Sequence, residues 1–392
     1  MMSDERGTMA SVRRVAPILP YVLVALVALL PRVLDLGPFV THDEAEFWID
    51  RSEQFLLALQ SGNYADTAIS THPGVTTMWL GMVGIFLRRA ARAWGLVQEV
   101  PFPLLLALMQ LPVALVHSGG VVVGYALLRR LLPPATALLA ALLWATDPFV
   151  IGYSRVLHVD ALAGTFATLS LLAAAVSAQR KAQSAERTER ESGDAKKRGC
   201  EEAGSHTASR PVASPPASPP PGWLVLSGIF AGLAVLSKSP ALAVVPVVGI
   251  LLLAEAGRRG GGEVKRRGGV VSRITHHASR IVPLAFWAAA AALTIVLVWP
   301  AVWADPAGVY TLLRVGVEVE GANPHMTGNF FLGHIDPAPG PLYYPVALAL
   351  RMTPWTLAGV ALLALVGGRG IGDVGRLYLA LHAWYDPLSE KV

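Results

Sequence analysis

The sequence predicts an all-α polytopic membrane protein, a bundle of about eight spans with further helices lying along its outer face. Three observations predict it. The 392 residues are 53% hydrophobic and only 15% charged, with a mean hydropathy of +0.50, too apolar for a soluble chain of this length. The apolar residues fall in long runs, and about 20 of them cross a hydrocarbon core ~30 Å thick. The mild positive excess, net +5, sits largely in short Arg/Lys clusters between those runs. Such clusters report topology rather than a nucleic-acid surface. Cys200 is the single cysteine, which excludes an intramolecular disulfide and a cysteine-based metal site. No internal repeat stands out, and no Gly-rich phosphate loop joins a strand to a helix.

Residues 1–14 are polar and end in Arg13-Arg14. The run from Val15 to about Leu36 reads as an uncleaved first span with a cytoplasmic N-terminus. Arg32 and Asp35 near its far end are spaced to pair on one helical face. Directly after it comes Thr41-His-Asp-Glu-Ala-Glu-Phe-Trp48, with three carboxylates and a histidine at the mouth of a span. Charge beside lipid is costly, so these are candidates for function; the alternative is an acidic first turn capped by Thr41 or Asp43. Residues 45–60 predict an interfacial helix, with Trp48, Phe55, Leu56 and Leu59 on one side. The run Val75–Leu87, closed by Arg88, Arg89 and Arg92, is short for a crossing.

Further spans are expected at about Pro103–Leu128, Ala135–Val150 and Ala161–Ala178. Residues 1–178 thus form an N-terminal membrane module. Residues 179–221, charged and then Pro/Ser-rich, predict a disordered cytoplasmic linker. A second membrane module covers 222–366. Its short spans, Trp223–Leu236 and Pro240–Leu253, flank Ser237-Lys238-Ser239. A basic loop at 258–267, a span at Ile281–Val298, an outer loop at 301–341 and a last span at Leu342–Val366 follow. Residues 367–392 make a short cytoplasmic tail.

Parity sets the topology. If Val75–Leu87 does not cross, Arg129-Arg130, the 179–221 segment and the 258–267 loop all fall inside, as the positive-inside rule requires. The polar clusters at 41–46, 71–74, 152–160, 237–239 and 303–340 then share the outer side. If it does cross, the basic loops move outside and the first acidic cluster is split from the others.

Each candidate on that side has a plain structural alternative. Asp43 and Glu44 supply a carboxylate pair, one of which could serve as a general base. Asp160 is a second acid, or simply the N-cap of the span it opens. His158 and Arg155 are ligands or interface anchors. Lys238, placed outside against the positive-inside preference, is a phosphate ligand or a snorkelling turn lysine. His72 in Thr71-His-Pro-Gly74 is a similar ligand or loop polarity. The 303–340 loop holds Glu318, Glu320, His325, His334 and Asp336 among aromatic residues, a composition suited to a sugar or a lipid phosphate, or an ordinary solvated loop. No metal-ligand spacing is present.

Taken in order, His42-Asp-Glu-Ala45, His72-Pro-Gly74, Ser154-Arg155 with Asp160, Gly232-Leu-Ala-Val-Leu-Ser-Lys238 and Gly333-His-Ile-Asp-Pro-Ala-Pro-Gly-Pro-Leu-Tyr-Tyr-Pro345 resemble the GT-C glycosyltransferases. The branch is that of the protein O-mannosyltransferases and aminoarabinose transferases, and the resemblance runs from about residue 15 to 366. It implies a GT-C type bundle in the plasma (inner) membrane, active on its outer face. It implies transfer of a sugar from a polyprenyl-phosphate donor to a lipid, glycan or protein acceptor. Asp43 maps to the family's leading acid and Asp160 to its later aspartate. His72 stands where the family often carries a lysine. His72, Arg155, His158, Lys238, Glu318, His334, Asp336 and Tyr344 are then expected to bind substrate, with Asp43, Glu44 and Asp160 catalytic. The leaving phosphate would be stabilised by those cations or by a divalent metal ion. Family members are usually longer, so a truncated, non-catalytic homologue is one alternative. A transporter or flippase is another, though that class favours repeats and midplane polar groups.

Overall fold

The computed structural model describes residues 18–202, 222–252, 270–322, 329–337 and 339–367. Their regular structure is helical except for one short hairpin. α1 (Leu19–Val33) begins with a proline in its first turn and ends where Leu34 turns extended. A π-helical turn, Glu44–Trp48, leads into α2 (Ile49–Ser61), which stops at Gly62 in the left-handed conformation. α3 (Val75–Ala93) and α4 (Phe102–Leu131) follow. α5 (Pro134–Thr146) and α6 (Pro148–Ser154) meet at a 58° bend. The span expected over Ala135–Val150 is therefore broken at Asp147-Pro148. Proline pushes its predecessor out of the α region, and the Asp147 carboxylate caps the new helix by accepting from the Val150 amide at 3.0 Å.

α7 (Val159–Glu202) corrects the linker boundary. Residues 179–202 continue the helix, because Ala, Glu, Arg, Lys and Gln dominate them and all favour helix. The Pro/Ser-rich part of the expected linker lies outside the described residues. α8 (Gly222–Ser237), α9 (Ser239–Leu252) and α10 (Val270–Val298) come next. After them are α11 (Ala301–Ala304), α12 (Pro306–Ala322), the hairpin β1–β2 (Asn329–Phe331, His334–Asp336), α13 (Tyr343–Arg351) and α14 (Pro354–Gly367).

By length and composition this is a membrane protein. Among the described residues, α4 and the Val159–Arg180 part of α7 are long and apolar enough to cross a bilayer, and the bent α5–α6 pair makes a third if it counts as one span. α1, α8, α9 and Val282–Val298 are shorter apolar helices. α3 carries its helix past Leu87, through the three arginines, to Ala93.

Membrane helices pack through small residues and polar contacts rather than by expelling water. α8 follows that rule: Gly228 and Gly232 sit against the Trp287 and Ala291 carbonyls of α10. On its other side Ser170 and Ser227 exchange hydrogen bonds with each other's carbonyls at 2.9 and 2.8 Å. Arg32 does not pair with Asp35. It turns inward, fully buried, and donates to the carbonyls of Ala28 and Ala145 at 2.8 and 2.9 Å. These lie at the C-terminal ends of α1 and α5, where a cation complements both helix dipoles.

One core fixes the site. Trp48, Phe55 and Leu56 pack with Met78 of α3, Met109 of α4 and Leu157 before α7. The apolar side expected of residues 45–60 is the buried one: Trp48, Phe55 and Leu56 are all under 5% exposed.

Candidate functional site

Thr41 and Glu44 form a reciprocal cap. The Glu44 amide donates to Thr41 Oγ1 at 3.2 Å, and Glu44 Oε2 accepts from the Thr41 amide at 2.8 Å and its hydroxyl at 2.9 Å. Glu44 Oε1 accepts from Gln110 Nε2 at 2.8 Å and the Leu157 amide at 2.7 Å. Four donors thus surround a carboxylate with no exposed surface. Glu44 ties the acidic turn to α4 and to the segment before α7, and its lone pairs are taken. Adjacent helical positions point about 100° apart, so Asp43 faces elsewhere.

Asp43 is 47% exposed and accepts from His158 Nε2 at 2.8 Å. The other ring nitrogen, Nδ1, accepts from the Asp160 amide at 3.3 Å. In the tautomer that lets Nδ1 accept from that amide, Nε2 donates to Asp43; Nδ1 also lies 3.6 Å from Asp160 Oδ2. Asp160 occupies the first turn of α7 without being its cap, and its carboxylate pairs with Lys238 Nζ at 2.5 Å. Asp43, His158, Asp160 and Lys238 therefore form one continuous chain of polar contacts from the acidic turn, past the head of α7, to the turn after α8.

Lys238 is extended between α8 and α9, and the neighbouring backbone is pinned. The Gly74 amide donates to the Ser237 carbonyl at 3.2 Å, and the Thr76 and Ser237 hydroxyls bond at 2.7 Å. Gly74 has φ +59°, and a Cβ there would run into the Trp48 ring. Only glycine meets both demands. Thus His72-Pro-Gly74 acts through its glycine, joining the acidic turn to the lysine turn. Arg51 lies over the Phe47 and Trp48 rings at 4.7 and 4.9 Å. Burial holds its guanidinium below the ordinary pKa, with Asp43 and Asp50 pulling the other way.

Three cavities meet at Asp160. The first, about 580 Å³, takes in Asp43, His42 and His158 against the aromatic Phe39, Phe149 and Tyr153. The second, about 380 Å³, runs between α7 and α9 beneath Lys238 and is otherwise apolar, through Ala163, Ala167 and Val247. The third, about 400 Å³, runs along the α5–α6 side of α7 and includes Arg351.

The other expected ligands stand apart. Arg155 donates to the carbonyls of Leu34 and Asp35 at 2.6 and 2.7 Å, so it braces the loop after α1. Glu318 pairs with Arg314 at 2.7 Å on an exposed stretch of α12. His334 is exposed on β2, Asp336 is half-buried beside it, and Tyr344 is 77% exposed on α13. Neither these nor His72 lines any of the three cavities. His325 lies outside the described residues. Sequence reasoning missed Arg351, although a lone arginine within the run Leu342–Val366 is itself a signal. It also missed Gln110, the polar residue of α4 that holds Glu44.

Among the described residues, no group of three or more His, Cys, Asp or Glu side chains is placed to hold a metal ion. Asp160 is engaged by Lys238 and Glu44 by four donors, so both carboxylates are already taken by the protein's own groups. No family model matches the chain, and no curated protein matches it.

Proposed function

We propose that this chain is a membrane glycosyltransferase that moves a sugar from a polyprenyl-phosphate donor to an acceptor hydroxyl. The observation that carries the reading is the chain Asp43–His158–Asp160–Lys238, set between a polar, aromatic cavity and an apolar groove. A prenyl tail needs an apolar groove, its phosphate needs a cation at the groove's mouth, and the acceptor needs a base across from it. Lys238 and Asp43 supply these two groups. Asp160 holds Lys238 in place and His158 orients Asp43. The GT-C type bundle of about eight spans, the plasma membrane location and the outward-facing site belong to the same proposal.

Purified full chain in lipid nanodiscs with a radiolabelled polyprenyl-phosphate sugar tests it. Stoichiometric release of polyprenyl phosphate with label appearing on an acceptor is expected; a donor that stays intact with every acceptor class overturns it. In the same assay Lys238→Ala is expected to raise KM for the lipid donor about tenfold or more with a smaller change in kcat. A phosphate contact present before and during transfer is largely uniform binding. An unchanged KM removes Lys238 from the donor site.

The topology is open to a separate check. Cys200, the only cysteine, belongs to the cytoplasmic segment of the proposed arrangement. An impermeant maleimide should label it only after the membrane is opened. In a Cys200→Ser background, His42→Cys should be labelled in intact cells. The reverse pattern inverts the bundle.

A further inference from the structure

The cavity on the α5–α6 side of α7 adjoins both of the others. It shares Asp160 and Gly164 with the groove under Lys238. It shares Phe149, Tyr153 and Asp160 with the cavity that holds Asp43. Its lining is mixed where the groove's is apolar. Trp144, Phe149 and Tyr153 supply aromatic surface, the last two with rings 4.6 Å apart. Thr165, Thr168 and Arg351 add polar groups to Asp160. The Thr168 hydroxyl donates to the Gly164 carbonyl at 2.8 Å, which fixes it in place and leaves its lone pairs free to accept. A side chain built on Gly164 would meet nothing within 4 Å, so this face of α7 is open.

We propose that this cavity holds the sugar of the donor, and that the sugar is a hexuronic acid whose carboxylate pairs with Arg351. The proposal rests on the transferase reading above and names its sugar class. A donor with its phosphate at Lys238 and its anomeric carbon toward Asp43 must place its ring beside Asp160, where the three cavities meet. A sugar ring has apolar C–H faces and a rim of hydroxyls. Aromatic rings take the faces and fixed polar groups take the rim. Arg351 then selects among sugars. It ends α13, with its guanidinium 5.8 Å from the centre of the Phe149 ring. Among the described residues no carboxylate pairs with it. The donor phosphate already has Lys238, so a cation on the sugar side answers a second negative charge. On a hexose that charge is the carboxylate of an oxidised C6, and the guanidinium fork matches a carboxylate with two parallel hydrogen bonds. An amino sugar would meet a like charge there, and a neutral hexose would leave the fork without an anionic partner.

The test uses full chain in nanodiscs and measures displacement of radiolabelled polyprenyl phosphate by synthetic donors that differ only in the sugar. These carry glucuronate or galacturonate, the methyl ester of each, and glucose or galactose. At least one uronate donor should bind ~10–100-fold more tightly than its ester and its neutral hexose, the ratio expected of a charge-assisted pair. Arg351→Gln should abolish that advantage and leave the affinity for bare polyprenyl phosphate unchanged, which also shows that the variant is folded. Arg351→Lys keeps the charge without the fork and should retain part of the advantage. Phe149→Leu should weaken acid and neutral donors alike. Equal affinity for acid, ester and hexose in both series overturns the proposal, as does an advantage that survives Arg351→Gln. If the uronate advantage holds but no sugar reaches any acceptor, the transferase reading fails and the acidic-sugar site stands. If neutral hexoses are transferred with the same kcat/KM as the uronates, the sugar class fails and the transferase stands.

Discussion

Asp43→Asn is expected to lower turnover by ~10²–10⁴ while leaving the lipid donor bound, the loss typical of removing a positioned base. The substitution keeps the shape of the side chain and an oxygen that accepts from His158 Nε2. Only basicity is lost. The measurement is single-turnover sugar transfer alongside donor binding by the same preparation. Normal turnover in Asp43→Asn moves the base elsewhere, with Asp160 the next group in the cluster. A parallel loss of donor binding would mean that the carboxylate acts on the ground state rather than on the proton transfer.

Glu44→Ala is expected to cost about 3–5 kcal/mol of stability, more than any other change at the site. It strips acceptors from the amides of Thr41 and Leu157, both of which bond to the Glu44 carboxylate, and from Gln110. Buried N–H groups left without a partner cost about 1–3 kcal/mol each. Glu44→Gln keeps one acceptor oxygen and turns an NH₂ toward the donors of the other pair, so its cost is about 1–3 kcal/mol. Thermal loss of monodisperse protein in detergent, followed for both variants, checks the order. If Glu44→Ala is as stable as the parent while turnover collapses, Glu44 acts on substrate and not on the frame.

The division of labour between these neighbours was not legible in the sequence. Asp-Glu beside a span announces function, but which acid is buried depends on Gln110 and Leu157, far away in the chain. Asp160 and Lys238 were legible as candidates because each interrupts apolar sequence next to a span. Their pairing was not, since it is made by tertiary contact across 78 residues. Arg155 shows the limit of reading charge by position: its guanidinium serves two backbone carbonyls. The hairpin at 329–336 escaped notice for a local reason. Its two turn residues, Leu332 and Gly333, have φ +50° and +96°, as tight hairpins demand. Leucine is not a residue that advertises that conformation. The amphipathic pattern of residues 45–60 was readable because the same apolar residues that form its stripe meet the core.

The pairing of Asp160 with Lys238 also fixes a sequence of events during biosynthesis. Asp43, His158 and Asp160 leave the ribosome first, and the 78 residues to Lys238 take ~4–16 s more at ordinary elongation rates. Through that interval the Asp160 carboxylate is in place at the head of α7 without its ammonium partner. The turn that will receive α8, held ready by Trp48 against Gly74, has no Ser237 carbonyl to bond. Until Lys238 is made, the Asp160 carboxylate has His158 beside it, Nδ1 lying 3.6 Å from Oδ2, but no lysine. Lys238, directly after α8, supplies that partner, so the chain of polar contacts is complete in sequence before α9 to α14 are made.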